Sequence, residues 1–384
     1  MYERHIDQNK SLVLGKEMLK KLNLTINMEN FKCGKFCTVI KVTDNEKIPF
    51  AAGKGVSQQA IISAIFETIE HSLFENMNMT TTPISLNSIL EGDIKLKYDV
   101  PLKLIKKKKY ENKIDCYEFK NEQENKVIYY PAFLINPNHK PPRGLRFLRK
   151  YCSNNGLACG VGFEEAIIHA INEVVERHSV SQLYKNYFIR KELKLKNISM
   201  LSLPVNLVKL WKNIEESIGS EITVFDITTV DGINTYYAFA KHSKFPLPLR
   251  GSGSSIFAEY AIERALMEIF QCYSIMDEAD FSMDLLTLQK FNNNQIYMNI
   301  LFHNFCEKDY KKTNLIKTIG DSVSVNNLNV IYDKMTMYLK KADFNFYFNI
   351  VYNKNNLYAI KVFIPGTDNF QAIMNGCYLI PSEI

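Results

Sequence analysis

Three segments of this 384-residue chain carry one pattern, and any fold must accommodate all of them. They are AIISAIFETIE from Ala60 to Glu70, AIIHAINEVVE from Ala166 to Glu176, and AIERALMEIFQ from Ala261 to Gln271. Each follows a glycine pair: Gly53 and Gly55, Gly160 and Gly162, Gly251 and Gly253. The period is too long for a solenoid. It implies three similar glycine-turn-plus-helix units inside one fold. Ala, Ile, Leu and Glu recur at helical spacing with no proline between them, and Ser57 is placed to cap the first helix. Strand-like runs lie between and after the helices: FCTVIKV, KVIYYPAFLI, EITVFDIT, INTYYAFAKH, NFYFNIVYN and LYAIKVFIP. They are rich in β-branched and aromatic residues. The expected class is α/β (α+β), organised as a single domain over residues 1–384. The motifs fill 53–272 and a strand-rich part fills 273–384.

At about 100° per residue, Ser63, Glu67 and Glu70 share one stripe of the first helix. Glu165, His169, Glu173 and Glu176 share a stripe of the second, with Arg177 at its edge. Arg264, Glu268 and Gln271 share a stripe of the third. Ile62, Ile65 and Ile69 lie opposite and are expected in the core. A solvent-facing row of glutamates is the ordinary reading of any one such helix. Three matched copies point instead to converging stripes that gather five or six carboxylates. Charges so close repel and raise one another's pKa. Bound divalent cations relieve that repulsion, and an all-oxygen donor set favours Mg²⁺, which commonly brings phosphate with it. Arg177, Arg264 and Lys54 are natural phosphate partners. The glycine pairs would let backbone approach a nucleotide. No G-x-x-x-x-G-K-[ST] motif occurs, so a nucleotide would be held without a P-loop.

The stretches GKGVSQQAIISAIFETIEHS, SNNGLACGVGFEEAIIHAINEVVERH and RALMEIFQ together resemble the YcaO family. The resemblance implies a YcaO-type fold with its helices converging on a Mg-ATP site. It implies metal ligation by Glu67, Glu70, Glu165, Glu173, Glu176 and Glu268, and nucleotide contacts from Ser63, Arg177 and Arg264. Lys10 and Ser11 would correspond to an N-terminal lysine and serine near the nucleotide. Arg177 and His169 are the catalytic candidates, His169 as a base or as a hydrogen-bond partner of a carboxylate. Two positions depart from the family pattern: His71 where an arginine is usual, and Val161 where an asparagine is common. A proline-rich PxPxP end is also absent, since IPSEI holds only Pro381.

The implied activity is ATP-dependent O-phosphorylation of a peptide backbone amide. Its commonest outcome is cyclodehydration of Cys, Ser or Thr to an azoline in a ribosomally made precursor. Thioamide or amidine formation, or a non-catalytic ATP-binding scaffold, are the alternatives. The expected partners are the precursor peptide, a separate leader-binding protein, a flavin dehydrogenase in the same complex, and a second copy of the chain. The formal net charge of +6 suits phosphates or an acidic peptide without requiring nucleic acid. The lysines at 103 and 106–109 read first as a solvated face, with acidic-peptide docking as the second reading. Eight cysteines form no zinc spacing. The opening MYERHIDQNK is no secretory signal, and no apolar run suits a membrane span. A reducing cytoplasm is the expected compartment.

Overall fold

The structure, a computed structural model, describes residues 2–46, 48–76, 79–121, 124–192, 194–314 and 327–382. Its strands fall into three sheets. The first has the order β1 (Asn27–Cys33), β2 (Cys37–Thr43), β3 (Pro49–Gly55), antiparallel throughout. Its β1–β2 hairpin sets Cys33 opposite Cys37, and all eight cysteines are free thiols. The second runs β4 (Thr82–Ile84), β5 (Ile114–Asn121), β13 (Tyr347–Lys354), β14 (Leu357–Phe363), β7 (Leu157–Val161), with β6 (Lys126–Pro131) also on β5. The third runs β11 (Leu249–Ser255), β10 (Asn234–Ala240), β9 (Thr223–Asp226), β8 (Leu195–Ile198), β12 (Tyr310–Thr313). Every strand-like run named from the sequence overlaps one of these strands.

The repeated segments are helices: Gln58–Glu75, Phe163–Tyr184 and Ala258–Ile275, hereafter the first, second and third repeat helices. Each follows an edge strand, β3, β7 and β11 respectively, and each of those strands ends a different sheet. Each helix packs on its own edge strand and also touches one belonging to another unit. The first helix reaches β7, the second reaches β11 and the third reaches β3. The contacts therefore close into a ring of three.

Small residues explain how close these layers come. A Cβ built on Gly53 would lie 2.2 Å from the Ala60 carbonyl oxygen and 2.2 Å from the Ala64 amide nitrogen. One on Gly253 would lie 2.1 Å from the Ala261 oxygen and 3.0 Å from the Ala265 nitrogen, and one on Gly160 would lie 2.6 Å from the Ala166 nitrogen. These are the alanines of the repeated pattern. The glycines it carries thus accommodate helix backbone lying on strand backbone.

The aliphatic face is buried as expected: Ile62 is 3%, Ile65 1% and Ile69 0% exposed. Each such side chain contributes about 1.5–3 kcal/mol of transfer free energy. Ser57 takes the N-cap position, but at φ 51° its hydroxyl makes no capping bond, contrary to expectation. Trp211 is core, its indole N–H donating to Glu215 Oε1. No helix among the described residues is long and apolar enough to cross a membrane.

Candidate active site

The carboxylates follow the ring. Glu67, Glu173 and Glu268 occupy equivalent places in the three helices, and each accepts a backbone N–H from its own unit. Glu67 takes that of Ala52 at 3.4 Å, Glu173 that of Gly156 at 2.9 Å, and Glu268 that of Ser252 at 2.8 Å. One turn further on stand Glu70, Glu176 and Gln271, and the two glutamates face the neighbouring unit. Glu70 accepts the Cys159 N–H of β7 at 3.2 Å, and Glu176 accepts the Ser252 hydroxyl of β11 at 2.7 Å. In the third unit Gln271 Oε1 is buried without a partner. The ring is closed there by Lys54, whose ammonium meets Glu268 Oε1 at 2.7 Å.

The electrostatics run through all five glutamates as a chain. Glu173 repels Glu70, Glu70 is also repelled by Glu67, Glu67 by Glu268, and Glu268 repels Glu176. Burial first, then Glu173 and Glu67, holds the Glu70 carboxyl well above the usual range. Burial, then Glu268, pushes Glu176 up to about 7. Burial raises Glu67 against the pull of His71 and Lys54. Burial also acts upward on Glu268, but Lys54, the Ser252 N–H and Arg264 outweigh it and leave that group lowered. Arg177 pairs with Glu173 and donates to Asn154 Oδ1 at 3.2 Å.

The Glu268–Glu176 end of this chain opens on a cleft of about 820 Å³. Glu176, Arg177, Glu268, Ser252 and Arg250 line it.

Three predicted site residues lie elsewhere. Glu165 does not join the carboxylate chain: it is 2% exposed, and its two oxygens are taken by Arg4 Nη1 at 2.8 Å and the His5 N–H at 2.8 Å. Lys10 is not brought in at all. Its side chain is 74% exposed, on the N-terminal helix Gln8–Lys21 beside Asp7. His169 sits two turns before the cleft-lining part of its helix. Burial, then Arg4 and Arg264, pushes its imidazole well below the usual histidine range, so it holds a proton weakly and is a poor base, and it does not line the cleft. Ser63 is half-buried on the first helix. His71, on the strand side, bonds through Nδ1 to the Phe50 carbonyl at 2.7 Å, and Val161 is buried in β7.

The sequence reading missed Arg4, Ser252 and Lys361. Lys361 is 1% exposed, and its ammonium donates to the Ser153 and Asn155 carbonyls at 3.2 and 2.6 Å. The same loop supplies Gly156 to Glu173 and Asn154 to Arg177. Nothing in the local pattern of β14 marks this lysine except a charge within an apolar strand.

Two observations test whether the residues fit a metal-bound nucleotide. The donor set is all oxygen, and burial and mutual repulsion oppose the ionisation of Glu70 and Glu176, a cost that a bound Mg²⁺ would relieve. As they lie, no three His, Cys, Asp or Glu side chains among the described residues are close enough to hold an ion alone. Ligand oxygens from phosphate and water would complete the sphere, as is usual for Mg²⁺. The second observation lies at the Glu165 end, where Arg4 Nε, His169 Nε2, Asn172 Oδ1 and Arg264 Nε are all buried without partners. Unsatisfied buried polar atoms are rare, and four in one neighbourhood mark a place for a polar ligand.

A family model for YcaO cyclodehydratases, described as ATP- and Mg²⁺-binding, matches residues 52–368. An uncharacterised protein of Methanothermobacter thermautotrophicus is 25% identical over 244 residues, 62% of this chain and 60% of that protein. The chain thus spans about 60% of the length of that curated relative. Among solved structures, YcaO from Methanopyrus kandleri bound with AMPPCP and Mg²⁺ matches at TM-score 0.66 and 17% identity, over 99% of this chain and 96% of that one. A heterocyclase in complex with substrate and cofactor matches at 0.69 and 16%, over 95% and 53%. The E. coli microcin synthetase McbBCD complex with pro-MccB17 bound matches at 0.58 and 18%, over 89% and 87%. At these identities the structural likeness is one of fold.

Proposed function

The chain belongs to the YcaO family, a family that binds ATP and Mg²⁺, and from that premise we propose that it activates peptide backbone amides by ATP-dependent O-phosphorylation. The reaction proposed is cyclodehydration of a Cys, Ser or Thr residue to an azoline. The observation that carries this reading is the chain of five glutamates on three equivalent helices, closed by Lys54 and flanked by Arg177 at the cleft.

The side-chain thiol or hydroxyl gives up its proton and attacks the preceding amide carbon, and the C=O electron pair moves to oxygen. An oxide is a poor leaving group. When bound, Mg-ATP supplies the phosphoryl group that turns it into phosphate. The C–O bond then breaks with its electrons on phosphate, the amide nitrogen gives up its proton, and a C=N bond remains. Peptide and ATP become azoline, ADP and phosphate.

In this assignment Glu67, Glu70, Glu173, Glu176 and Glu268 hold Mg²⁺. Arg177 stands where the cleft begins and offsets negative charge on the transferring group. Arg264, with its unpartnered Nε, and His169 and Arg4 bind the remainder of the nucleotide. Glu165 fixes Arg4 and stays out of the metal set. The proposed partners are a precursor peptide and a separate leader-binding protein.

Calorimetric titration with a non-hydrolysable ATP analogue, with and without Mg²⁺, tests the site. Mg²⁺-dependent binding that Glu173→Gln abolishes supports it. A well-folded protein that binds in neither condition, alone or with a leader-binding partner present, removes it. Mass spectrometry of the treated peptide then decides the outcome. Loss of one water fits the azoline, and replacement of oxygen by sulfur would instead make this a thioamide-forming enzyme.

A further inference from the structure

The two most basic segments of the chain lie side by side. The helix Val100–Lys107 and the residues after it carry Lys103 and Lys106–Lys109, and residues 140–151 carry Lys140, Arg143, Arg146, Arg149 and Lys150. Neither segment holds an acid. Their ten positive charges exceed the +6 of the whole chain, so the remainder is net negative. The helix packs against Arg143–Tyr151, and the Tyr110 ring lies 3.7 Å from where a Cβ on Gly144 would be.

Arg143–Tyr151 is a 3₁₀ helix. With three residues per turn, side chains three apart stand in line, about 6 Å from one to the next. One line is Leu145 and Leu148, both fully buried. Another is Arg143, Arg146 and Arg149, all exposed. Burial of the leucine line therefore fixes the arginines as a straight outward ridge. That ridge ends at the cleft, whose lining includes Arg149 and Lys150 together with Glu176 and Arg177.

We propose that the Arg143–Arg146–Arg149 ridge, backed by the lysines at 106–109, docks an acidic, extended stretch of the peptide substrate and leads it into the cleft. Alternate side chains of an extended chain fall on one side about 6.5 Å apart, which matches the ridge. Guanidinium groups bind carboxylates through paired hydrogen bonds. A phosphodiester chain would match the spacing equally well. A peptide is favoured by where the ridge leads, which is a site assigned to amide chemistry. The proposal rests on that assignment.

The test is fluorescence anisotropy on the full chain at about 50 mM salt, with a fluorescein-labelled Glu-Thr repeat peptide, its Gln-Thr counterpart and a single-stranded oligonucleotide of equal length. The expected result is binding of the Glu-Thr peptide alone, weakened about tenfold or more by Arg143→Glu with Arg146→Glu. The charge-matched pair Lys311→Glu with Lys312→Glu, exposed on β12, should change it less than about twofold. Equal loss in both pairs would reduce the effect to net charge and overturn the proposal. Tighter binding of the oligonucleotide, or no binding of the Glu-Thr peptide, would overturn it too. Binding of the ATP analogue is measured on the same samples. If that fails while peptide docking stands, the amide-activation reading falls and the ridge remains a peptide site.

Discussion

Lys54 Nζ and Glu268 Oε1 meet at 2.7 Å across 214 residues of sequence, and this pair joins the third repeat unit back to the first. Both side chains are partly exposed, 18% and 25%, so the pair's direct contribution is modest, about 1 kcal/mol. Its larger role is local: it is the ammonium held inside the carboxylate chain. Replacement by glutamine in Lys54→Gln should lower the melting temperature of the metal-free protein. It should also enlarge the rise in melting temperature that Mg²⁺ produces. Differential scanning fluorimetry with and without Mg²⁺ measures both.

Glu70 pits stability against function. Burial and two neighbouring carboxylates already oppose its ionisation. Glu70→Gln removes that repulsion, and should raise the stability of the metal-free protein by about 1 kcal/mol while weakening Mg-nucleotide binding at least about tenfold. Thermal melts and calorimetry give the two numbers. Destabilisation together with unaltered binding would remove Glu70 from the site.

The pH dependence of Glu176 has a definite sign. Its folded carboxyl is raised to about 7 from an ordinary 4.5, by burial and then Glu268. The folded state therefore holds the proton more tightly, and this group's contribution to stability falls as pH rises from about 4.5 to 7. Buried His303, lowered to about 3, works the other way below its ordinary range. A difference measurement isolates the glutamate. In the absence of divalent metal, the stability advantage of Glu176→Gln over the wild type should grow through that window, by on the order of 3 kcal/mol, and level off above it. Denaturant titrations at several pH values measure it.

The layered glycines should tolerate nothing larger. Gly253→Ala would place a methyl 2.1 Å from the Ala261 oxygen. The cost should be about 3 kcal/mol or more, since helix and sheet must separate along their length. Gly219 is the control: it caps the helix Val205–Ile218 at φ +68°, and nothing lies within 4 Å of its added Cβ. Gly219→Ala should lose only about 1 kcal/mol, through backbone strain. Thermal melts of the two variants check the contrast.

Lys361 reaches the glutamates through one loop. Lys361→Met would leave the Ser153 and Asn155 carbonyls without their donor, at about 1–3 kcal/mol of lost stability. It should also weaken Mg-nucleotide binding, because Gly156 and Asn154 on that loop hold Glu173 and Arg177. Amide hydrogen exchange at Gly156, faster in the variant, would locate the change.

The repeat made much of this legible. Ile62, Ile65 and Ile69 lay on the face opposite the glutamates, and the helix period placed them in the core correctly. Glu67, Glu70, Glu173, Glu176 and Glu268 came together because equivalent helices turn equivalent faces inward. Glu165 did not follow, for a reason of length. Eleven residues separate it from Glu176, about 16 Å along a helix. A single stripe that long serves two places, and angular periodicity cannot tell its ends apart. Arg4 was invisible because its partner is 161 residues away. The arginine ridge has a period of three, which a helical pattern of 3.6 does not bring into line.

The ring of three has a kinetic consequence. Each unit can form its strand and helix from nearby sequence, but the carboxylates of different units face one another only when all three units dock. The contacts that close the ring span 76 to 214 residues, so they belong to the slow, non-local stage of folding. Electrostatic repulsion rises at that same stage. A divalent cation present during refolding should then quicken the last phase and leave the earlier ones unchanged, acting as a late chaperone for the protein that will afterwards use it.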